Sequence, residues 1–249
     1  MELLYGERGA HDFSGDPLCV SHGDDLILND VSVIYSLYEL PMAVARERLP
    51  ASLHPSVPAV LGVTGWNAPD STFGAFEFAY LGLACRTGIK PRHLIYGAFC
   101  NNPKAAEFLS NNYGFSVQHA EVAIREYYDR ATLQIGDAQA PLLTHAITNM
   151  IPIVGAGAAV KYSPPLNVCT IEDQTVLAQF EAGYDFKKVM RGTPELSVFE
   201  GEQLGDPWAM PTTPVSGTQA VCDIQLLPVR FKVDLEIPAE SGGARKISA

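Results

Sequence analysis

The chain is predicted to be mainly β, with the few helices of an α+β protein. Three observations support this: many short apolar runs, little helical periodicity, and no alternation of strands with helices. Ten runs rich in β-branched and aromatic residues are bounded by Gly, Pro, Asn or Asp, as strands between tight turns are. They are Val31 to Leu40, Phe73 to Cys85, Leu94 to Cys100, Val117 to Tyr127, Ala131 to Ile135, Ala158 to Tyr162, Val168 to Ile171, Thr175 to Glu181, Glu195 to Phe199 and Ala220 to Leu235. With no βαβ rhythm and no glycine-rich phosphate loop, a doubly wound nucleotide-binding fold is excluded, which leaves an antiparallel barrel or sandwich.

Each helix has its own end signals. In Pro41 to Leu49 the proline suits the first helical position, where a missing N–H costs nothing, and Pro50 stops the element. In the second, Asn102 caps, Pro103 opens, Ala105, Ala106, Phe108 and Leu109 form an apolar stripe, and Gly114 closes. A third short helix is expected over Asp185 to Met190.

The 249 residues, 47% hydrophobic and 18% charged, supply a sizeable core and fit one domain over 1–249. Residues 1–25 and 239–249 are expected to be peripheral, with a mobile tail from Ala239. A formal net charge of -11 argues against nucleic acid and anionic membranes as partners and for a small molecule. Neither an apolar leader core near Met1 nor a run of about 18 apolar residues is present, so the cytoplasm is the expected location. The five cysteines have no CxxC spacing and read as buried free thiols. Without HxH, HExxH or GxSxG, neither a metal, nor a cofactor, nor a serine nucleophile is expected.

Four stretches resemble the acetoacetate decarboxylase superfamily. They are YSLYELPMAVARERLPASLHP from Tyr35 to Pro55, GAFEFAYLGLACR from Gly74 to Arg86, NNPKAAEFLSNNYGFSVQHAEV from Asn101 to Val122, and the region Gly192 to Pro228 containing TPELSVFEG and CDIQLLP. Their order and spacing over about two hundred residues carry the resemblance, since each alone is a common pattern. It implies a cone-shaped β barrel, a largely apolar central cavity and a homo-oligomer.

The departures are chemical. On the family's signature, the Schiff-base lysine falls on Val117 and its lysine neighbour on Gln118. The arginine near the first strand falls around Asp30, and the cavity glutamate on Phe78, or on Glu77 one residue out of step. A Schiff base needs a deprotonated primary amine, and this family is itself the known example of an amine activated by a neighbouring cation and an apolar wall. Valine and glutamine can do neither job. Of the seven lysines only Lys161, in GAAVKYS, falls in an expected strand; the others lie in turns, helices or strand ends.

Candidate groups remain. Strand alternation would send Val117, His119 and Glu121 to one face, making His119 a base oriented by Glu121, unless that face meets water. Glu77, among Phe73, Phe76, Phe78 and Tyr80, is either a carboxyl with a raised pKa acting as an acid or an outward residue between two inward rings. His145 and Asn149 are candidates for the cavity wall, with a hydrogen-bonded core histidine as the other reading. Tyr113 and Phe115, beside Val117, Gln118 and Phe78, are expected to contact substrate.

A cavity without its nucleophile suggests catalysis by shape, desolvation and one or two acid or base groups. The expected function is cyclisation, dehydration or isomerisation of an apolar, carbonyl-bearing, polyketide-like intermediate of secondary metabolism. The alternatives are a decarboxylase or aldolase-like lyase on a keto acid using Lys161, and a non-catalytic small-molecule binding protein.

Overall fold

A computed structural model of the protein describes residues 4–18, 26–154, 161–205, 211–241 and 244–247. In chain order the elements are β1 (Leu26–Glu39), α1 (Met42–Arg48), β2 (His54–Pro55), β3 (Val60–Ala68), β4 (Phe76–Thr87), β5 (Lys90–Cys100), α2 (Pro103–Tyr113) and β6 (Val117–His119). β7 (Val122–Glu126), β8 (Ala131–Asp137), β9 (Ala140–Pro152), β10 (Pro165–Ile171), β11 (Gln174–Phe199), β12 (Thr213–Asp234) and β13 (Ala244–Lys246) follow. The mainly β expectation holds.

The strands β12, β1, β3, β4, β5, β10 and β11 pair in that order, and β11 pairs back to β12. That last pairing turns the sheet into a ring, so its strands have no free edge between them. All contacts in the ring are antiparallel except one. At the seam β10 runs parallel to β5 through only two register pairs, Pro165 with His93 and Leu166 with Leu94. A side-chain relay reinforces that side of the ring: Arg92 Nε donates to Gln179 Oε1 at 2.7 Å, Gln179 Nε2 donates to Glu181 Oε1 at 2.7 Å, and Arg230 Nη2 donates to Glu181 Oε2 at 2.6 Å.

Period-two alternation gives the ring two apolar faces. Val33, Trp66, Phe78, Tyr80, Phe180 and Ile224 belong to the inner cluster. Ile34, Val63, Ala79 and Leu81 belong to the outer one. The distal part of β11 continues beyond the ring into a second layer with β9, β8 and β7. Val122, Ile124, Leu133, Ile135, Leu143 and Ile147 of that layer lie in the outer cluster, which the layer covers.

Several expectations change here. Asp185 to Met190 is strand within β11, not helix. A register shift between Phe186 and Lys188 puts two lysines side by side, which breaks alternation and imitates helical spacing. β3 is not among the expected strands, because glycines interrupt its apolar run. The strand expected over Ala158 to Tyr162 lies partly outside the described residues, and Lys161 and Tyr162 are irregular. Neither terminus is loose where described: Gly6, Glu7 and Arg8 donate main-chain bonds to Leu53, Arg46 and Leu49, and β13 pairs with Phe231 to Val233 of β12.

α2 forms as its end residues dictate. Asn102 Oδ1 accepts from the N–H groups of Lys104 and Ala105, while its Nδ2 donates to the carbonyls of Phe73 and Ala75. Gly114 closes the helix at φ 71°, a left-handed turn that glycine adopts at least cost. Asn102 therefore caps α2 and ties it to the approach to β4. Asn102→Ala is expected to lower unfolding stability by about 2 kcal/mol, the upper end for a lost cap, measured by chemical denaturation.

Candidate active site

The residues expected to act chemically are not brought together. β6 ends at His119, the strand is interrupted at Ala120 and Glu121, and β7 starts in the second layer, so the assumed alternation through Glu121 does not exist. His119, Glu121 and Gln118 are exposed. Glu77 points outward between Phe76 and Phe78, where its carboxylate accepts from Ile124 N at 2.8 Å, Arg125 Nη1 at 2.9 Å and Asn101 Nδ2 at 3.1 Å. Those bonds tie β4 to β7 and leave the carboxylate as a brace rather than an acid. Asn149 is exposed, in the left-handed region at φ 52°. Lys161 is exposed, which removes the basis for a displaced Schiff-base nucleophile.

The aromatic expectations fare differently. Phe78 and Phe115 stack edge to face at 5.3 Å, Phe115 meets Phe180 at 5.3 Å, and Tyr113 meets Phe180 at 5.0 Å. These rings, with half-buried Val117, fill one part of the ring's interior. They are packed core, so they shape the wall rather than offer a surface.

His145 is fully buried on the outer side, between the ring and the second layer, with its ring 5.9 Å from that of Tyr38. Neither ring nitrogen has a hydrogen-bond partner. Burial alone depresses its pKa to about 3, so it is neutral at ordinary pH and remote from the interior.

The interior holds a group that the sequence did not disclose. Gly62 and Gly82 face each other across β3 and β4, and the imidazole of His93 on β5 occupies the hollow they leave. A Cβ on Gly62 would lie 2.9 Å from His93 Nε2, and one on Gly82 2.9 Å from His93 Cβ. The ring donates to the main chain of Ser163, and His93 N donates to Pro164 O at 3.2 Å. Nε2 is left as a buried acceptor with no partner. Burial depresses the pKa to about 4, partly offset by the Ser163 bond, so Nε2 carries a lone pair rather than a proton.

Tyrosines surround this acceptor. The Tyr35 ring stands edge-on to His93 at 6.2 Å and to Tyr162 at 5.1 Å; Tyr162 meets Tyr184 at 4.8 Å. Tyr80 is hydrogen-bonded to Thr64 and joins this group to Trp66, 6.0 Å away. Burial pushes the hydroxyls of Tyr35, Tyr80, Tyr162 and Tyr184 well above the usual phenol range, so all remain O–H donors. Yet Tyr35, Tyr162 and Tyr184 are only half-buried. Partial exposure with strong desolvation describes side chains lining a recessed space. The Tyr162 hydroxyl leans on Thr218 without a bond of good geometry, and Trp66 Nε1 is also buried without a partner. Orphaned buried polar groups are rare enough to require a reason, and here an acceptor and two donors share one interior.

A cleft of about 630 Å³ opens elsewhere, between the N-terminal segment and β5, lined by Arg8, Asp12, Asp16, Arg48 and Ser116 among others. It is of mixed charge, and none of Tyr35, Tyr80, Tyr162 and Tyr184 lines it. The chemistry is placed in the interior because His93 Nε2, the Tyr162 hydroxyl and Trp66 Nε1, three of the buried atoms without a partner, belong to it.

Among solved structures, an acetoacetate decarboxylase superposes with a TM-score of 0.70 at 11% identity, covering 90% of this chain and 90% of its own. The acetoacetate decarboxylase of Legionella pneumophila gives 0.71 at 14% identity, covering 90% and 95%. The chain has the acetoacetate decarboxylase fold. The enduracididine biosynthesis enzyme MppR in complex with pyruvate shares this fold with a TM-score of 0.67 at 16% identity, covering 92% of each chain. An acetoacetate decarboxylase-like enzyme from Sphingomonas wittichii gives 0.61 at 10% identity, covering 95% of this chain and all of its own. No protein-family model and no curated protein matches the sequence.

Within the acetoacetate decarboxylase fold, Val117 packs against the interior from β6, beside Ala98 of β5. The position to which the resemblance assigns the amine thus faces inward and carries an isopropyl group. All seven lysines are described, and none is buried; Lys232, half-buried, lies 3.8 Å from the exposed Glu172. Four of the five cysteines are described, and these are buried and free. Among the described residues no cluster suited to a metal and no helix long and apolar enough to cross a membrane is found.

The two buried histidines make acid stability a test of these placements. Unfolded histidine takes a proton below about pH 6.5, whereas His93 and His145 resist until about 4 and about 3. Their contribution is complete above pH 6.5 and is lost as pH falls toward those values, about 2 kcal/mol each by pH 5. His145→Leu should therefore roughly halve the histidine-linked loss between pH 7 and 5 in denaturation midpoints. An unchanged acid limb would show that His145 is not buried as described.

Proposed function

We propose that the protein is a cofactor-independent enzyme that enolises a carbonyl compound inside the barrel, without a Schiff base, and uses the enolate for cyclisation, dehydration or isomerisation. One observation carries this reading: His93 Nε2 is a buried neutral acceptor without a partner, beside Gly62 and with the Tyr35 ring edge-on to its own, in an interior whose expected amine position is Val117.

In the proposed reaction Nε2 takes a proton from the carbon next to the carbonyl, and the released electron pair forms the enolate. Hydrogen bonds from Tyr162, and from Trp66 Nε1 where the substrate reaches it, hold the developing oxyanion. Return of the proton from Nε2 to another carbon isomerises the substrate, its transfer to a β-hydroxyl that leaves as water dehydrates it, and its transfer to the oxygen of a second carbonyl as the enolate carbon attacks that carbonyl closes a ring. Aromatic walls hold a flexible chain folded for that attack. The Ser163 bond fixes which nitrogen is the acceptor, as second-shell bonds do for catalytic histidines. MppR, with the same fold, is described in complex with pyruvate and with the condensation product of pyruvate and imidazole 4-carboxaldehyde, so this architecture accommodates carbonyl compounds and their condensation products.

Hydrogen–deuterium exchange at the α-carbon of benzylacetone, followed by NMR, tests the proton transfer without knowledge of the natural substrate. The protein is expected to accelerate exchange, His93→Ala to reduce the acceleration by about a hundredfold and Tyr162→Phe by about tenfold or more. The rate should be flat above pH 5 and fall as pH drops through about 4, where Nε2 becomes protonated. Borohydride with pyruvate should leave the mass of the protein unchanged. Full exchange activity in His93→Ala, or a borohydride adduct, would remove the proposal.

A further inference from the structure

We infer that the compound bound in the barrel is an uncharged, flat, conjugated or aromatic ketone, and that the site discriminates against the corresponding keto acid. The inference rests on the reading of the interior as the active site and adds the charge and shape of what enters it.

All 17 lysines and arginines lie among the described residues, so each can be placed. Only Arg92 is buried, and it faces the outer side of the ring, bonded to Gln179 and to the carbonyl of Pro91. Arg125 is held by Glu77 at the second layer, Arg230 by Glu181, and Lys187 by Asp30 and Asp223. The position where the resemblance puts an arginine is Asp30, exposed and held in that pair. Half-buried Lys232 lies on the inner face opposite Ala178, six residues along β11 from Tyr184, and Arg92 points outward, so no buried cation stands beside the tyrosines. A carboxylate taken from water into such surroundings loses its hydration and meets no counter-charge, and that penalty is large. The upward-shifted tyrosines report the same cost on their own negative forms.

The shape argument is the arrangement of rings. Tyr184 and Phe186 lie nearly parallel, 6.0 Å apart at 13°, and Tyr162 meets both, at 4.8 and 5.8 Å. With Tyr35 across from Tyr162, these rings present edges and faces to the recess, a wall that suits a planar π system. The polar atoms left over, Nε2 of His93, the Tyr162 hydroxyl and Trp66 Nε1, match a neutral ketone and its enol. None of them is a charge.

Calorimetric titration with a matched pair tests this: benzylacetone, and the keto acid that carries a carboxylate in place of its methyl group. Benzylacetone is expected to bind at least about tenfold more tightly to the wild-type protein. Gly62→Ala, which sets a methyl group against His93 Nε2, and His93→Phe, which removes the acceptor, report whether binding is in the barrel. Preference for the ketone, lost in either folded variant, supports the inference. Equal or tighter binding of the keto acid, also lost in the variants, overturns the inference on charge and leaves the site standing. Binding of neither compound, or binding that both variants leave untouched, overturns the site and the inference with it.

Discussion

Closure of the ring at β5 and β10 is the constraint on which the interior depends. Two register pairs make that seam, and the segment entering β10 supplies Ser163, which receives the His93 ring, and Tyr162, which faces Tyr35. The same few residues therefore close the barrel and assemble its polar groups. Parallel pairing over so short a span contributes little on its own. The relay from Arg92 through Gln179 to Glu181 and Arg230 keeps this side of the ring together while carrying its charges on the outer surface. The seam thus separates these outer charges from the neutral groups around His93.

That separation decides how electrostatics can act. In a recess without ions, neutral hydrogen-bonding groups hold their protons over a wide pH range and act by position rather than by charge. His93 keeps its lone pair because desolvation opposes its protonation, and the tyrosines keep their protons because desolvation opposes their loss. A Schiff-base site works the other way, with one cation setting the pKa of another. With Val117 at the position assigned to the amine and Gln118 beside it, no such pair of cations stands there.

Much of the architecture was legible, because half-buried strands alternate with period two and because Asn102, Pro103 and Gly114 bound α2 by local chemistry. Where local rules broke, the reading broke. The register shift at Lys187 made a strand look helical, glycines hid β3, and the break after His119 moved His119 and Glu121 to the surface. Phe78, Phe115 and Val117 do belong to the interior, since apolar position on a strand is a sequence-local property. The polar site was not visible. His93 follows Lys90, Pro91 and Arg92 in an ordinary strand, and its hollow, its ring partner and its aromatic neighbours come from β3, β4, β1 and the entry to β10. The pairing of Gly62 with Gly82 was the available signal, but it requires the register to be known.

The contrast between the two buried histidines shows what separates a site from a core defect. Both are neutral, both are depressed by burial, and both have unpartnered nitrogen. His145 has two such nitrogens in the outer cluster, with no defined tautomer, and its neighbour ring Tyr38 is itself buried, so nothing there can bind and be released. His93 has one nitrogen fixed by Ser163 and the other beside Gly62, next to tyrosines that keep partial exposure. A shifted pKa alone would have ranked His145 first. Oriented tautomer, glycine-made space and half-exposed neighbouring tyrosines together select His93, and all three depend on strand register rather than on the residue itself.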